Sequence, residues 1–215
     1  MKKIICPSMM CADFGALEQE VKNLDQAGTD VFHIDFMDGS FVPNFGMGLQ
    51  DFQLIRKTTK KLVDVHLMIQ DPSRYVEMFA DMGADIIYFH PEADLHPLRT
   101  IDKIKNKGKK AGIAINPGTS VATVRELLPT IDYMMVMTVN PGFAGQKYID
   151  LVDEKIKQLV ELQSKYQYEI FVDGAISPER IQTLSKIGVS GFVLGTSALF
   201  GKTQSYTDII TEIRS

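Results

Sequence analysis

Short apolar runs alternate with longer amphipathic stretches from one end of the 215-residue chain to the other. The short runs have the composition of β-strands. This alternation is typical of an α/β fold in which helices connect parallel strands. Eight strands are predicted, at 3–6, 31–35, 62–66, 86–89, 111–115, 133–137, 169–172 and 191–194.

The amphipathic stretches between these runs predict eight helices. They lie at 14–27, 48–57, 73–82, 98–107, 120–128, 150–165, 177–187 and 204–213. Ser73 and Ser177 stand where capping residues are expected to open a helix. Glycines that follow helices are expected to take the left-handed conformation that ends them. These glycines are Gly28, Gly83, Gly108 and Gly188.

Eight strand-helix units in 215 residues fit one compact (β/α)8 TIM barrel of the phosphate-binding type, with residues 1–215 as a single domain. Segments 27–30 and 82–85 are near-repeats placed just before a strand, and 187–190 resembles them. An open doubly wound sheet is the alternative architecture. Eight units of nearly equal length favour closure into a barrel.

Composition narrows the possible partners and the compartment. The chain has 23 Lys and Arg against 27 Asp and Glu, a formal charge of -4, so it lacks the positive field that a nucleic-acid partner requires. Cys6 and Cys11 show no disulfide framework and no Cys-x-x-Cys spacing, which predicts a reducing compartment and a packing role for both.

No run of the sequence suggests secretion or a membrane span. The basic start at 1–7 has an apolar stretch too short for a signal peptide, and Pro7 ends it. Charged residues interrupt every other apolar run before the ~20 residues that a membrane helix needs. A cytoplasmic protein without a membrane partner is expected.

Polar residues at the ends of predicted strands are the first candidates for chemistry, since the C-terminal ends of barrel strands carry the active site. His33 and Asp35 lie two apart, and so share a strand face, as do Asp64 and His66 on the next strand. Asp173 ends strand 7. Any one of these residues, taken singly, could equally be a structural hydrogen-bonding residue.

Taken together, these residues indicate a metal site. Carboxylates inside a barrel are costly to desolvate unless a cation compensates them, and one divalent ion could compensate two imidazoles and two carboxylates at once. Nitrogen and oxygen ligands without thiolate suit Zn, Mn, Co or Fe(II). Asp64 could instead orient the ligands from behind.

Glycine-rich loops follow the last three predicted strands, at 140–146, 173–175 and 195–197. Glycines allow backbone N–H groups to approach an anion, and barrels often bind phosphate with the loops after strands 7 and 8. Turns also use glycine, so one such loop would say little. Three on adjacent strands predict a phosphate handle on the substrate.

Methionines follow strands 2, 3 and 6. Most methionines fill irregular gaps in cores, but Met37, Met68 and Met137 could form an apolar collar around a planar intermediate at the barrel rim. His90 ends strand 4, where it could face the mouth of the barrel. No role is assigned to His96.

Five segments, in order along nearly the whole chain, resemble the ribulose-phosphate 3-epimerase family. They are Pro7-Ser8, 33–44, 64–68, 139–143 and 172–174. The resemblance implies a metal-dependent isomerase of sugar phosphates that inverts C3 of a phosphorylated ketose.

The resemblance also implies roles for individual residues. His33, Asp35, His66 and Asp173 would bind the metal, and Asp35 and Asp173 would be the two acid/base groups. The expected substrate contacts are Ser8, His66, Met37, Met68, Met137, Gly142, Phe143, Ala144, Gly145, Gly174, Ala175, Gly195, Thr196 and Ser197. A homo-oligomer, either dimer or hexamer, is expected.

Several short segments of the sequence resemble the allulose-6-phosphate 3-epimerase branch of the family more than its pentose-specific members. They include 8–11, 90–92, 143–146 and 195–200. They slightly favour D-allulose 6-phosphate over D-ribulose 5-phosphate as substrate. Ala175 departs from the family pattern, which often has glycine there, and its β-carbon could change how closely a phosphate approaches.

The expected mechanism has Asp35 remove the C3 proton, a cis-enediolate form with help from the metal, and Asp173 donate a proton to the opposite face. A barrel decarboxylase or aldolase is the rival enzyme, but 33–38 lacks the lysine of the Asp-x-Lys-x-x-Asp pattern. A phosphosugar-binding barrel without catalysis is the second alternative, and it predicts damage to the ligand set.

Overall fold

A computed structural model describes residues 3–215. Met1 and Lys2, which belong to the basic start of the chain, lie outside the described residues. Within 3–215, eight strands alternate with eight α-helices and five short 3-10 turns. The strands are β1 Ile4–Pro7, β2 Val31–Met37, β3 Leu62–Met68, β4 Ile86–Phe89, β5 Lys110–Ile115, β6 Tyr133–Met137, β7 Glu169–Asp173 and β8 Gly191–Leu194.

All neighbouring strands pair in parallel, in the order β1-β8-β7-β6-β5-β4-β3-β2. The two ends of this order meet, because Ser8 and His33 form a parallel bridge and the Asp30 backbone N–H donates to the Ile5 carbonyl at 3.1 Å. The sheet therefore closes between β1 and β2. The predicted (β/α)8 barrel is confirmed, and the open doubly wound sheet is excluded.

The helices follow the predicted order, with shorter bounds in places. They are α1 Leu17–Gln26, α2 Leu49–Thr58, α3 Val76–Asp81, α4 Pro97–Asn106, α5 Val121–Val124, α6 Val152–Tyr166, α7 Pro178–Ile187 and α8 Tyr206–Arg214. The stretch predicted as one helix at 120–128 gives only one turn of helix, α5, before a 3-10 turn at Leu128–Thr130. Pro129, which lacks an N–H, sits in that turn.

The predicted helix ends are partly correct. Ser177 caps α7, since its side chain accepts from the Arg180 N–H. The capping role predicted for Ser73 is wrong, because Ser73 lies inside the 3-10 turn Pro72–Arg74 and α3 begins after Tyr75. All four glycines expected to end helices have positive φ.

Alternating side chains of each strand pack on opposite sides of the barrel wall. Phe32, Ile34 and Phe36 of β2 point outward into the layer between sheet and helices, where the Phe36 ring lies 4.4 Å from that of Phe79. The residues between them, His33 and Asp35, point inward and are buried. Outward apolar contacts thus fix the strand that presents the polar pair to the interior.

One cluster of side chains inside the barrel is apolar and aromatic. Its buried residues are Cys6, Val31, Ile86, Tyr88, Ala114, Met135, Met137, Phe171 and Val193. Since Cys6 is fully buried there, its expected packing role is confirmed. Met137 and Val193 of this cluster lie toward the C-terminal ends of their strands, where the interior is accessible.

Candidate active site

A cavity opens at the C-terminal ends of the strands, where the active sites of (β/α)8 barrels lie. Asp35 and Asp173 lie in its wall, together with most of the residues expected to contact a substrate. Those residues are Ser8, Met37, Met68, Met137, Gly142, Phe143, Ala144, Gly145, Gly174, Ala175, Gly195, Thr196 and Ser197. The structure thus gathers residues from six of the strands and their following loops around one space.

His33 and His66 are fully buried and do not belong to the cavity wall. They lie beside Asp35, whose Oδ1 atom is 3.2 Å from His33 Nε2 and 3.4 Å from His66 Nδ1. Asp173 Oδ2 is 3.6 Å from the same His66 nitrogen. The expected contact of His66 with substrate stays a prediction.

Four side chains could hold one metal ion at this point. One ligand atom from each of His33, Asp35, His66 and Asp173 lies within 4.8 Å of the other three. The ring nitrogens His33 Nε2 and His66 Nδ1 are buried without a hydrogen bond among the described residues, although they face a carboxylate. Two imidazole nitrogens with open lone pairs and two carboxylates fit a divalent cation.

Neighbouring groups orient these side chains. Ser8 Oγ donates to Asp35 Oδ2 at 2.7 Å, so the hydroxyl binds the carboxylate oxygen that does not face the histidines. Asp64 Oδ1 lies 2.6 Å from His33 Nδ1, and both groups are fully buried. His66 Nε2 lies 2.9 Å from His90 Nε2. Both histidines therefore use one ring nitrogen toward the protein and turn the other toward Asp35.

The two carboxylates have pKa values shifted in opposite directions. Burial opposes the charge on Asp35, but the adjacent His33 and His66 outweigh it and lower the pKa of Asp35 below its ordinary range. Burial and the charge of Asp35 raise the pKa of Asp173 to about 7. One carboxylate is thus held as a base and the other binds a proton near neutrality.

The loops above the cavity are tied together by side chains that sequence reasoning missed. Asp38 accepts from the backbone N–H groups of Ser40, Phe41 and Gln70 at 2.8 to 2.9 Å. Asn44 Nδ2 donates to the Gly142 carbonyl at 2.7 Å and so connects the loops after β2 and β6. The Asp-Gly-Ser run at 38–40 is a turn signal that could have identified Asp38.

Other wall residues also escaped the sequence analysis. Cys11, expected only to pack, lies in the cavity wall, and burial raises the pKa of its thiol to about 11. It shares that wall with Met10, Val139, Pro141, Gln146 and Val193. Pro141 and Gln146 belong to the glycine-rich loop 140–146 that the sequence indicated, whereas nothing in the local sequence of Met10, Cys11 or Val193 distinguishes them from ordinary core residues.

A membrane span finds no support in the described part of the chain. None of the helices within 3–215 is long and apolar enough to cross a bilayer.

Comparison with known proteins gives strong similarity along the chain. The model of the ribulose-phosphate 3-epimerase family matches residues 4–200. A ribulose-phosphate 3-epimerase of Bacillus subtilis is 41% identical over 213 residues, covering 98% of this chain and 97% of that protein. The chloroplastic ribulose-5-phosphate-3-epimerase of Arabidopsis thaliana is 37% identical and covers 99% of this chain and 76% of that protein.

Solved structures with little sequence similarity share the fold. KGPDC from Streptococcus mutans superposes with a TM-score of 0.77 at 11% identity, covering 98% of this chain and 95% of the other. The 3-hexulose-6-phosphate synthase of Salmonella typhimurium gives a TM-score of 0.73 at 17% identity, with 100% and 97% coverage. At these identities the likeness shows the barrel architecture alone.

Proposed function

Because the chain belongs to the ribulose-phosphate 3-epimerase family, we propose that it inverts C3 of D-ribulose 5-phosphate to give D-xylulose 5-phosphate, with one divalent metal ion. Membership of this family makes the chain an epimerase, and hence an isomerase. The pentulose phosphate takes precedence over the slightly favoured hexulose phosphate because the curated relatives described above carry the pentulose in their names.

The observation that carries the proposal is the meeting of His33, Asp35, His66 and Asp173 at one point, with the two aspartates in the wall of the cavity. Three different strands, β2, β3 and β7, supply these side chains. A binding barrel that had lost its chemistry would not need two carboxylates and two imidazoles directed at one point. The non-catalytic alternative is therefore not favoured.

His33 Nε2, His66 Nδ1 and the carboxylates of Asp35 and Asp173 would hold the ion. When bound, a divalent cation supplies Lewis-acid stabilisation for the negative charge that develops beside the ketone. These nitrogen and oxygen donors are compatible with Zn, Mn, Co or Fe(II) as the bound ion.

The proton transfers belong to the two aspartates. Asp35 removes the C3 proton, and the substrate becomes a cis-enediolate. Asp173 then donates a proton to the opposite face of C3, which inverts that carbon. In the reverse direction the two carboxylates exchange these roles. Asp35 and Asp173 both lie in the cavity wall, and the Ser8 hydroxyl, which donates to Asp35 Oδ2 at 2.7 Å, holds Asp35 in place.

Backbone groups rather than basic side chains would bind the phosphate. Among the described residues, the cavity wall contains neither Lys nor Arg. The loops at 142–145, 174–175 and 195–197 reach it with glycines, two of which, Gly142 and Gly174, have φ near +120°. Such loops can direct successive N–H groups at an anion. Met37, Met68 and Met137 would cover the planar intermediate.

A comparison of two substrates tests the proposal. Ribulose 5-phosphate and allulose 6-phosphate are offered to the same enzyme preparation with the same divalent metal, and kcat/KM is measured for each. We expect a higher value for the pentulose phosphate and loss of both activities after chelation. A higher value for allulose 6-phosphate would make that hexulose phosphate the substrate instead. If the enzyme converts neither compound, the proposed activity is rejected.

Three further expectations stay predictions: the cytoplasmic location, the dimer or hexamer, and the single domain.

A further inference from the structure

His66 has a second set of contacts on the side away from Asp35. Its Nε2 atom lies 2.9 Å from His90 Nε2, and the two rings stack with centroids 5.1 Å apart. The ring of Phe41, from the loop after β2, also packs against His90, with the two ring centroids 4.7 Å apart. Both histidines are fully buried. His90 is therefore held against His66 and cannot turn away into solvent.

A short contact between two imidazole nitrogens restricts their protons. One of the two Nε2 atoms must carry a hydrogen and donate, and the other must offer a lone pair and accept. If His66 donates, its own Nδ1 atom has a free lone pair directed at Asp35 and Asp173. If His90 donates instead, His66 carries its proton on Nδ1, where it cannot bind a metal.

Glu92 decides between these two arrangements. Its Oε2 atom lies 3.5 Å from His90 Nδ1. The negative charge favours a proton on that nitrogen, because N–H groups are attracted to a carboxylate. With the proton on Nδ1, His90 Nε2 is an acceptor, and only His66 can donate.

The position of Glu92 is itself fixed by the loop after β5. Its other oxygen, Oε1, accepts from the Asn116 backbone N–H at 2.9 Å and from Thr119 Oγ1 at 2.5 Å. The buried ammonium of Lys155 donates to the Asn116 and Pro117 carbonyls at 2.7 and 2.8 Å, which anchors this loop to α6. Since Oε1 is bound twice, Oε2 is the atom left to face His90.

We propose that His90 and Glu92 are positioning residues that hold His66 in the tautomer whose Nδ1 atom is free to bind the metal. The chain of contacts runs from the β5 loop through Glu92 and His90 to His66. Partners behind metal-binding histidines commonly fix the ring and its tautomer in this way. Asp64 stands in the corresponding position behind His33. This inference rests on the proposed metal site.

Nitrogen NMR of the histidine rings gives a direct readout of the tautomers. The full-length protein is labelled with ¹⁵N, and ring spectra are recorded without metal and with zinc. We expect His90 to carry its proton on Nδ1 in both states, and His66 to carry its proton on Nε2 with zinc bound. In Glu92→Gln the amide oxygen can still accept from Asn116, which leaves the NH2 donor facing His90 Nδ1, so His90 should lose its preference for a proton on Nδ1.

Metal affinity gives the energetic readout. Zinc is titrated by calorimetry into chelator-treated protein, with His96→Phe as the matched control, since His96 is an exposed histidine close in sequence. We expect His90→Phe to weaken zinc binding by about 10-fold to 100-fold and Glu92→Gln by about 10-fold or less. His90→Phe/Glu92→Gln should bind zinc as His90→Phe does, because Glu92 acts only through His90.

Several results would overturn the inference. A proton on His90 Nε2 in the parent protein would do so, as would an unchanged zinc affinity in both single variants. Additive losses in the double variant would show that Glu92 acts by another route. If His90→Phe does not fold, the zinc affinity of Glu92→Gln and the NMR spectra of the parent protein still test the inference. Failure of the parent protein to bind any divalent metal would instead reject the proposed metal site, and the His90 tautomer would still be tested.

Discussion

At the scale of single residues, the carboxylate of Asp35 has the most contacts that bear on the proposed chemistry. One of its oxygens accepts from Ser8, and the other faces both His33 and His66. A substitution that removes the charge of this carboxylate but keeps the shape of the side chain would therefore remove a proposed base and a proposed metal ligand at once.

We therefore expect Asp35→Asn to lower kcat by at least the ~10²- to 10⁴-fold that general acid-base catalysis contributes. Its far-UV circular dichroism should match that of the parent, since asparagine preserves the side-chain volume. Asp81→Asn, which changes an exposed carboxylate on α3, is the control and should keep the parental kcat. Near-parental turnover of Asp35→Asn would remove this residue from the mechanism.

Ala175 is a residue where the chain departs from the pattern of its family, and its backbone conformation is unusual for alanine. Its φ is +52°, in the left-handed region that disfavours residues with a β-carbon. Left-handed backbone costs such a residue about 1–2 kcal/mol, whereas glycine adds about 0.5–1 kcal/mol of conformational entropy to lose on folding.

Ala175→Gly should accordingly raise the free energy of unfolding by up to about 1 kcal/mol, as measured by urea denaturation. Ala144→Gly is the matched control, since Ala144 lies in a neighbouring loop without positive φ and should gain nothing. A loss of stability in Ala175→Gly would show that the methyl group contributes more through packing than its backbone conformation costs.

At the scale of elements, two glycines of the sheet lie opposite aromatic rings on the neighbouring strand. Gly112 of β5 pairs with Tyr88 of β4, and Gly191 of β8 pairs with Phe171 of β7. A β-carbon on Gly191 would lie 2.2 Å from the Phe171 ring, and one on Gly112 would lie 2.3 Å from the Tyr88 ring. The rings thus occupy the space that these glycines leave inside the barrel.

Gly191→Ala should destabilise the protein by about 1–3 kcal/mol, because the added methyl group forces the Phe171 ring out of its place. Urea denaturation measures the change. Gly118→Ala is the control, since nothing lies within 4 Å of a β-carbon there, and it should be close to neutral. Equal stability of the two variants would mean that the ring can move at little cost.

The elements also show which parts of the fold local sequence determines. Alternation on β2 identified His33 and Asp35 as an inward pair because side chains of a strand alternate strictly. Short helices were harder, as at 120–128, where α5 ends after Val124 and a 3-10 turn follows at Leu128–Thr130. Amphipathic pattern fixes which face is buried, whereas tertiary contacts decide where a short helix stops.

At the scale of the whole molecule, closure of the barrel could be predicted by counting eight equal units, and strand ends indicated the polar residues that meet, namely His33, Asp35, His66 and Asp173. The chain of contacts through Glu92 and His90 could not. Its members lie in β3, directly after β4 and in the loop after β5, and only the closed sheet brings them into contact. His90 was expected to face the mouth, but no local pattern joined it to His66.

A metal held by β2, β3 and β7 would connect strands distant in sequence, and this predicts an effect on global stability. A divalent ion at 100 times its dissociation constant adds about 2.7 kcal/mol. For a chain of this length that should raise Tm by roughly 5–10 °C. Calorimetric scans of the protein with chelator and with manganese measure this difference in Tm. Asp173→Asn should lose most of the increase in Tm, whereas the control variant Asp81→Asn should show the full increase. An unchanged Tm in the parent protein would argue against a metal at this site.

The transfer of protons between C3 and two different carboxylates is the central claim, and hydrogen exchange at C3 tests it most directly. Ribulose 5-phosphate is converted by the parent enzyme in deuterated water, and C3 of the xylulose 5-phosphate formed early in the reaction is analysed by NMR. Two separate aspartates predict one solvent deuterium at C3 for each turnover, since the donating group exchanges its proton with water. Product that keeps the original C3 hydrogen would contradict the account.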